Sequence, residues 1–164
     1  MGSDGSSRPG RFPSRPVRLY GPAMPRTALS GPAAAVLAGI AGLHVLWGAG
    51  VAWPAADRTA LADAVAGAEE MPPPGACFAV AGALVTAAAV TAGAGGGRRL
   101  VRLARTGVAV VLLVRGVAGV TGATGLLVPW APSRRFQALD RRWYGPLCLC
   151  LGSSVALSQP AGAG

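Results

Sequence analysis

The sequence predicts an all-α fold: a four-helix transmembrane bundle with a disordered basic N-terminal tail. Three observations support this prediction. The 164 residues are 52% hydrophobic and only 13% charged, with a positive mean hydropathy of +0.47, which is unusual for a soluble domain. Four apolar segments alternate with polar segments. The net charge of +9 comes from arginine alone, and most arginines cluster beside apolar segments, as is typical of membrane proteins.

The two ends of the chain are predicted to be tails around a transmembrane domain. Residues 1–27 are rich in Gly, Ser, Pro and Arg and contain few large apolar side chains, so they cannot bury a core and should form a disordered cytoplasmic tail. A hydrophilic stretch of this length before the first apolar segment argues against a cleaved signal peptide. Residues 28–158 form the predicted four-helix domain, and 159–164 form a short C-terminal tail.

The first two apolar segments predict helices at about 32–53 and 76–93. The first ends at Trp53-Pro54, an aromatic interface marker beside a residue that stops helices. Its length of about 20 residues is enough to span a hydrocarbon core of roughly 30 Å. The second is rich in small residues and only just long enough to span. The acidic loop 54–75 between them is expected on the non-cytoplasmic side.

The last two apolar segments predict helices at about 106–128 and 136–158. The third helix contains Arg115 and ends before a second proline-tryptophan marker. The fourth segment is short, so its beginning is expected to lie at the membrane interface. Pro146 is expected either to kink this helix or to begin a new one.

The distribution of arginines predicts the orientation. With both termini in the cytoplasm, five arginines of the tail and four in 98–105 lie inside, against Arg58 and four in 132–142 outside, which follows the positive-inside rule. The four arginines of loop 132–142 lie on the unfavoured side. They either contact lipid headgroups, which is the favoured interpretation, or serve a site. The expected protein is a multi-pass cell-membrane protein in contact with membrane lipids.

Arg115 predicts a functional site, because an arginine at membrane depth is costly unless it faces a protein interior, a wet cavity or a partner. His44 and Arg115 both lie near the midpoints of their predicted helices, within about 5 Å of the same level, so one chamber can hold both. His44 and Trp47 share a helix face. A lone histidine in a membrane helix is about as often a structural hydrogen-bonder that ties two helices together.

Gly116 and Gly119 follow Arg115 in a series of four glycines at three-residue intervals. Close helix packing is the favoured explanation, since small residues let membrane helices approach each other. The alternative is that the missing side chains leave room for a ligand beside Arg115. The two explanations are compatible.

Asp140 is a conditional partner of Arg115. It shares a helix face with Tyr144 and Cys148, at about 10 to 15 Å from Arg115 if the fourth helix follows the membrane normal. The two side chains meet only if the segment around Asp140 folds inward. A salt bridge from Asp140 to a neighbouring arginine at the interface is slightly favoured.

No metal or other cofactor is expected. Three scattered cysteines and one histidine do not form a ligand set. The sequence contains neither a phosphate-binding glycine loop nor a serine-histidine-acid set. Nucleic-acid binding is not expected either, because the arginine clusters lack the fold and the interleaved aromatic residues of a base-reading module.

Three motifs resemble a known family: His44-x-x-Trp47-x-x-x-Val51, Arg115-Gly116-x-x-Gly119 and Phe136-x-x-Leu139-Asp140-x-x-Trp143-Tyr144-x-Pro146-Leu147-Cys148. They are similar to a family of small bacterial four-helix integral membrane proteins, catalogued as a domain of unknown function, number thirty-nine ninety-five in that series. The resemblance covers about 28–157 and implies a four-helix membrane fold. It implies no established activity.

Two function classes are compatible with these features, and a small transporter that acts as a dimer is a third. The first is a membrane-embedded acid/base enzyme, of isomerase, cyclase or hydratase type, or a binding protein for a lipophilic small molecule. The second is a non-catalytic membrane subunit that packs against itself or another membrane protein. In the first class the catalytic residues are His44, Arg115 and Asp140, and the substrate-binding residues are Trp47, Tyr144, Gly116 and Gly119.

Overall fold

The computed structural model describes residues 27–159, and all regular elements in this range are helical, which confirms the predicted all-α class. The predicted tails lie outside the described residues, apart from Thr27 and Gln159. The elements in chain order are α1 (Thr27–Gly48), α2 (Arg58–Val65), α3 (Pro74–Ala92), α4 (Arg99–Thr121), a 3₁₀ turn (Ala123–Leu126), α5 (Arg134–Leu139), a π-helical turn (Asp140–Tyr144) and α6 (Gly145–Leu157).

Three helices in the described range are long and apolar enough to cross a membrane. The qualifying stretches are 19 residues in α1, 19 in α3 and 23 in α4. The predicted fourth span corresponds to α5, the π-helical turn and α6, which follow one another without a break from Arg134 to Leu157.

The four long helical segments form a ring. α1 packs mainly against α3, and α4 packs mainly against α6, while smaller contacts of α1 with α6 and of α3 with α4 close the ring. At its centre lies an apolar cluster to which all four segments contribute: Ala33 and Leu37 of α1, Ala88 of α3, Leu112 of α4 and Leu151 of α6.

Many buried side chains of this bundle are small, and several larger apolar side chains of α4 face outward. Alanine dominates the buried positions of α1 and α3, whereas Val110, Val111, Val114 and Val117 of α4 are 51 to 67% exposed. Soluble monomers rarely expose continuous apolar surfaces of this kind. A helix that is apolar all round is suited to lipid, where packing between helices depends on small residues and close contact.

Two helices end earlier than the sequence predicts. α1 ends at Gly48 instead of about residue 53, and α4 covers Arg99–Thr121 instead of about 106–128. Gly122 ends α4 because it adopts the left-handed conformation, with φ +78°, and its N–H returns to the carbonyls of the last helical turn. The helix begins early because the long arginine side chains of its first two turns can extend away from the apolar surface.

The loop 54–75 contains a short helix, α2, that the sequence analysis does not predict. Asp57 caps it by accepting a hydrogen bond from the backbone N–H of Ala60 at 2.7 Å. Leu61 is buried against Trp47 of α1 and Cys77 of α3, so α2 covers one end of these two helices. This end of the bundle, where α2 and α5 also pack together, is called the α2 end below.

Glycines bring α4 and α6 into close contact. A Cβ atom at Gly116 would lie 2.8 Å from the backbone nitrogen of Leu149, and one at Gly145 would lie 2.8 Å from that of Val120. Neither position accepts a side chain unless the backbones move apart. Close helix packing, which is the favoured explanation of the glycine series, therefore agrees with the contact at Gly116.

We expect Gly116→Ala to destabilise the protein by about 1–3 kcal/mol, because the added methyl group forces α4 and α6 apart. Gly107→Ala is the matched control, since a Cβ atom there meets nothing within 4 Å. It should be neutral or slightly stabilising, by up to about 1 kcal/mol, because alanine favours the helix over glycine. Unfolding by sodium dodecyl sulfate in mixed micelles, followed by circular dichroism, measures both. Equal stability of the two variants contradicts the packing described.

Candidate functional site

Arg115 and Asp140 form an ion pair between α4 and the π-helical turn. Arg115 Nη1 donates a hydrogen bond to Asp140 Oδ2 at 3.1 Å, and Nη2 lies 2.8 Å from Oδ1. The Asp140 side chain is 1% exposed and that of Arg115 is 30% exposed. A guanidinium group that faces both oxygens of a carboxylate compensates buried negative charge more effectively than a single contact does.

Thr124 of the 3₁₀ turn is a second partner of Asp140. Its hydroxyl donates a hydrogen bond to Oδ2, so this oxygen has two donors. Oδ1 is buried and has no hydrogen bond of good geometry within residues 27–159, although Arg115 Nη2 lies beside it. The carboxylate is thus neutralised by an adjacent charge, while one oxygen retains capacity to accept a hydrogen bond.

The early end of α4 explains why Asp140 reaches Arg115. Arg115 lies six residues before Thr121, and Asp140 lies six residues after Arg134 on an antiparallel segment. Both are therefore about 9 Å from the α2 end. The separation of 10 to 15 Å, expected for a fourth helix along the membrane normal, does not occur, since it rested on a third helix that continued to about residue 128.

The neighbouring arginines do not pair with Asp140, contrary to the interpretation that the sequence slightly favours. Arg135 forms an ion pair with Asp63 of α2 at 3.4 Å, in a solvent-exposed position. The guanidinium of Arg142 lies 5.5 Å from the ring centre of Trp143. That of Arg141 lies over Gly122, where any side chain would collide with it. These three arginines therefore contact other groups of the α2 end.

Gly119 provides the space that the ion pair occupies. A Cβ atom at this position would lie 2.8 Å from Asp140 Oδ1 and 3.1 Å from Arg115 Nη1. The same atom would lie 2.9 Å from the Cα atom of Gly145 in α6. The room that this glycine leaves is thus filled by the protein itself, as Leu149 fills the room at Gly116.

The π-helical turn places Asp140 at its first position. The N–H of Gly145 bonds to the carbonyl of Asp140, five residues earlier, and Pro146 follows at the start of α6. Proline cannot donate a backbone hydrogen bond, so it is tolerated where the hydrogen-bonding pattern changes. Pro146 lies at the change from π-helical to α-helical bonding within one unbroken helical path, so it does not begin a separate helix. Single π-helical turns are frequent at functional sites.

His44 has its hydrogen-bond and ring contacts within α1. Its Nδ1 is 2.9 Å from the carbonyl oxygen of Ile40, and its ring centre is 4.8 Å from that of Trp47, so both contacts are within α1. In the ring of helices α1 and α4 are diagonal to each other. No hydrogen bond or ion pair of the described residues joins His44 to Arg115 or Asp140. The chamber shared by His44 and Arg115 therefore stays a prediction.

Trp47 and Tyr144 both donate hydrogen bonds to backbone carbonyls at the α2 end. Trp47 Nε1 donates to the carbonyl of Trp53 at 2.9 Å, and the Tyr144 hydroxyl donates to that of Ala64 in α2 at 3.2 Å. Tyr144 therefore connects the π-helical turn to α2. The substrate-binding roles of these two residues stay predictions.

A family model matches residues 37–155, which include Arg115, Thr124, Asp140 and most of the four long segments. The chain belongs to the DUF3995 family. This family is described as proteins of unknown function, and its match confirms the resemblance that the three motifs carry. No curated protein and no solved structure matches the chain.

Thr124 is the member of the cluster that sequence reasoning misses in this DUF3995 protein. Thr124 lies in a glycine-rich segment that the sequence assigns to a continuous helix, and a threonine in such a helix indicates no special role. The available signal is Gly122, since a glycine at the end of an apolar run can end a helix and place the following residues in a turn. Only that ending directs the Thr124 hydroxyl towards Asp140.

Two open grooves on the described surface lie away from the ion pair. One, of about 320 Å³, is at the end of the bundle opposite to the α2 end, and the other, of about 270 Å³, is beside the start of α2. The first groove is lined by Arg99, Arg102, Leu103, Thr106 and Gln159, and the second by Arg58, Thr59, Glu69, Glu70 and Met71.

Within residues 27–159, no group of three or more His, Cys, Asp or Glu side chains could hold a metal ion.

We expect Arg115→Leu to lower the free energy of unfolding by about 3–5 kcal/mol, because it leaves the Asp140 carboxylate buried without its cation. The double variant Arg115→Leu/Asp140→Asn should recover at least half of this loss, since no uncompensated charge remains. Arg102→Leu is the control, because Arg102 is exposed in the same helix. Unfolding in mixed micelles measures the series. A double variant as unstable as the single one contradicts the assigned pairing.

We expect Thr124→Val to destabilise the protein by about 1–3 kcal/mol, because a buried carboxylate loses a hydrogen-bond donor without a change of side-chain shape. Thr121→Val is the matched control, since the exposed Thr121 hydroxyl donates only to carbonyls of its own helix. The same unfolding measurement compares the two variants. Similar losses at positions 121 and 124 would show that Thr124 does not support Asp140.

Proposed function

We propose that this DUF3995 protein is a non-catalytic integral membrane subunit that spans the bilayer four times, with both termini in the cytoplasm. Its intramembrane charges hold helices together instead of acting on a substrate. A four-helix protein without a reaction centre can act only through its contacts, so the expected partner is a second copy of the chain or another membrane protein.

The dimensions of the helices support four spans. α1, α3 and α4 are long and apolar enough to cross a membrane. The unbroken helical path from Arg134 to Leu157 rises by about 35 Å, which exceeds a hydrocarbon core of roughly 30 Å. Four spans place the α2 end and its acidic loop outside, and the arginines at the start of α4 inside, in agreement with the positive-inside rule.

The closed coordination of Asp140 is the observation that carries the non-catalytic assignment. Arg115 and Thr124 both donate to Oδ2, Arg115 Nη2 lies 2.8 Å from Oδ1, and Gly119 packs directly against the pair. Neither of the two open grooves borders it. An acid/base catalyst must reach the proton that it transfers, and a carboxylate that is 1% exposed and already paired does not.

The proposed topology predicts the labelling of two engineered cysteines, in a background where the three native cysteines are replaced by alanine. Ala131→Cys, in the loop at the α2 end, should react with a membrane-impermeant maleimide in right-side-out vesicles. Gly97→Cys, before α4, should react only in inside-out vesicles. The reverse pattern overturns the orientation. Reaction of both cysteines from the same side contradicts the proposed topology, because the chain between positions 97 and 131 then does not cross the bilayer an odd number of times.

A binding protein or acid/base enzyme for a lipophilic molecule is the second candidate, and one observation favours it. The Arg115 side chain is 30% exposed. Its guanidinium can therefore donate to a polar group on an otherwise apolar molecule. In this candidate the bound lipophilic molecule extends from Arg115 of α4 to α1, where His44 acts as acid or base.

Mass spectrometry of small molecules that copurify in mild detergent separates the two candidates. The non-catalytic proposal expects the same small molecules on the wild type, on Arg115→Leu/Asp140→Asn and on His44→Ala. It also expects native mass spectrometry to show a second copy or a protein partner. Selective loss of one small molecule from the double variant, with the Thr121→Val control unchanged, establishes the second candidate instead.

A further inference from the structure

A basic groove lies at the end of the bundle opposite to the α2 end. It has a volume of about 320 Å³ and is formed by the first turns of α4 together with Gln159, which follows α6. Thr106 Oγ1 lies 3.2 Å from Gln159 Oε1, so the end of α6 is held against α4. One side of the groove is thus formed by α4 and the other by Gln159, and the two sides are in contact.

Two arginines of this groove have no acidic partner in the described part of the chain. Arg99 and Arg102 form no ion pair there, and the acidic residues of that part lie in the loop 54–75 or at Asp140, towards the α2 end. Arg105 nearby is engaged differently, since its Nε donates to the carbonyl of Val90. A pair of free guanidinium groups is suited to the oxygens of a phosphate group.

The groove continues into an exposed apolar surface on α4. Leu103 is 59% exposed and Val110 is 51% exposed, at positions i and i+7 of one helix face. Between them Gly107 leaves an open gap, because a Cβ atom there would meet nothing within 4 Å. From Arg102 to Val110 the helix rises by about 12 Å, close to half of a hydrocarbon core of roughly 30 Å.

We propose that this groove binds the phosphate group of an anionic phospholipid, held by Arg99 and Arg102, while an acyl chain lies along Leu103, Gly107 and Val110. The two arginines supply the charge, and the apolar surface distinguishes a lipid from free phosphate. The proposal rests on the membrane placement given under Proposed function.

Native mass spectrometry of the full chain in detergent, titrated with dioleoyl phosphatidylglycerol or dioleoyl phosphatidylcholine, tests the site. The wild type should retain the anionic lipid about ten-fold better than the zwitterionic one, and Arg99→Gln/Arg102→Gln should lose this preference. The control Arg134→Gln/Arg142→Gln, with the same charge change at the α2 end, should keep it. Preserved preference in the first variant, or equal loss in both, overturns the proposal.

Two further arms distinguish a lipid from free phosphate. Gly107→Leu fills the gap beneath the proposed acyl chain, so it should weaken retention of the phosphatidylglycerol. Inorganic phosphate at the same concentration should not displace the lipid from the wild type. Displacement by inorganic phosphate, or no effect of Gly107→Leu, shows that the site does not recognise a lipid.

The cysteine labelling described above tests the membrane placement separately. A chain that labels as expected and shows no lipid preference contradicts the lipid site alone. A chain that fails the labelling test contradicts the proposed membrane topology, whatever the lipid titration shows.

Discussion

The burial of the Asp140 carboxylate is the constraint on which much of this structure depends. A charged group removed from water is tolerated only with a paired charge and hydrogen-bond donors. Arg115 supplies the charge from α4, and Thr124 supplies a hydroxyl from the turn that follows it. Gly119 leaves the space in which the two charges meet. Because these groups come from three different elements, the cluster holds α4, the 3₁₀ turn and the π-helical turn in one arrangement.

The two ends of the bundle differ in how their polar groups are used. At the α2 end, the indole and phenol groups donate to backbone carbonyls, and α2 covers the ends of α1 and α3. At the opposite end, Arg99 and Arg102 lie in an open groove without acidic partners among the described residues. Internal hydrogen bonds therefore hold the elements of the α2 end together, whereas at the opposite end two arginines have no acidic partner within the described range.

Sequence reasoning succeeds where a strong local pattern carries the information. The four apolar segments and the glycine series predict the helical class and the close contact of α4 with its neighbour, because hydrophobicity and side-chain size act locally. It fails at helix ends: α4 ends at Thr121, before Gly122, and α2 lies in a loop that the sequence shows only as acidic. Helix ends depend on capping contacts and packing, and α2 is stabilised by burial of Leu61 under partners distant in sequence.

The sequence by itself determined that the chain is helical and apolar, that it belongs to the DUF3995 family and that Arg115 needs a partner. Only the tertiary structure decided that the partner is Asp140 and not His44. The physical reason is geometric. A difference of seven residues in where α4 ends changes the level of the following segment by about 10 Å, and no local pattern determines the helix end with that accuracy.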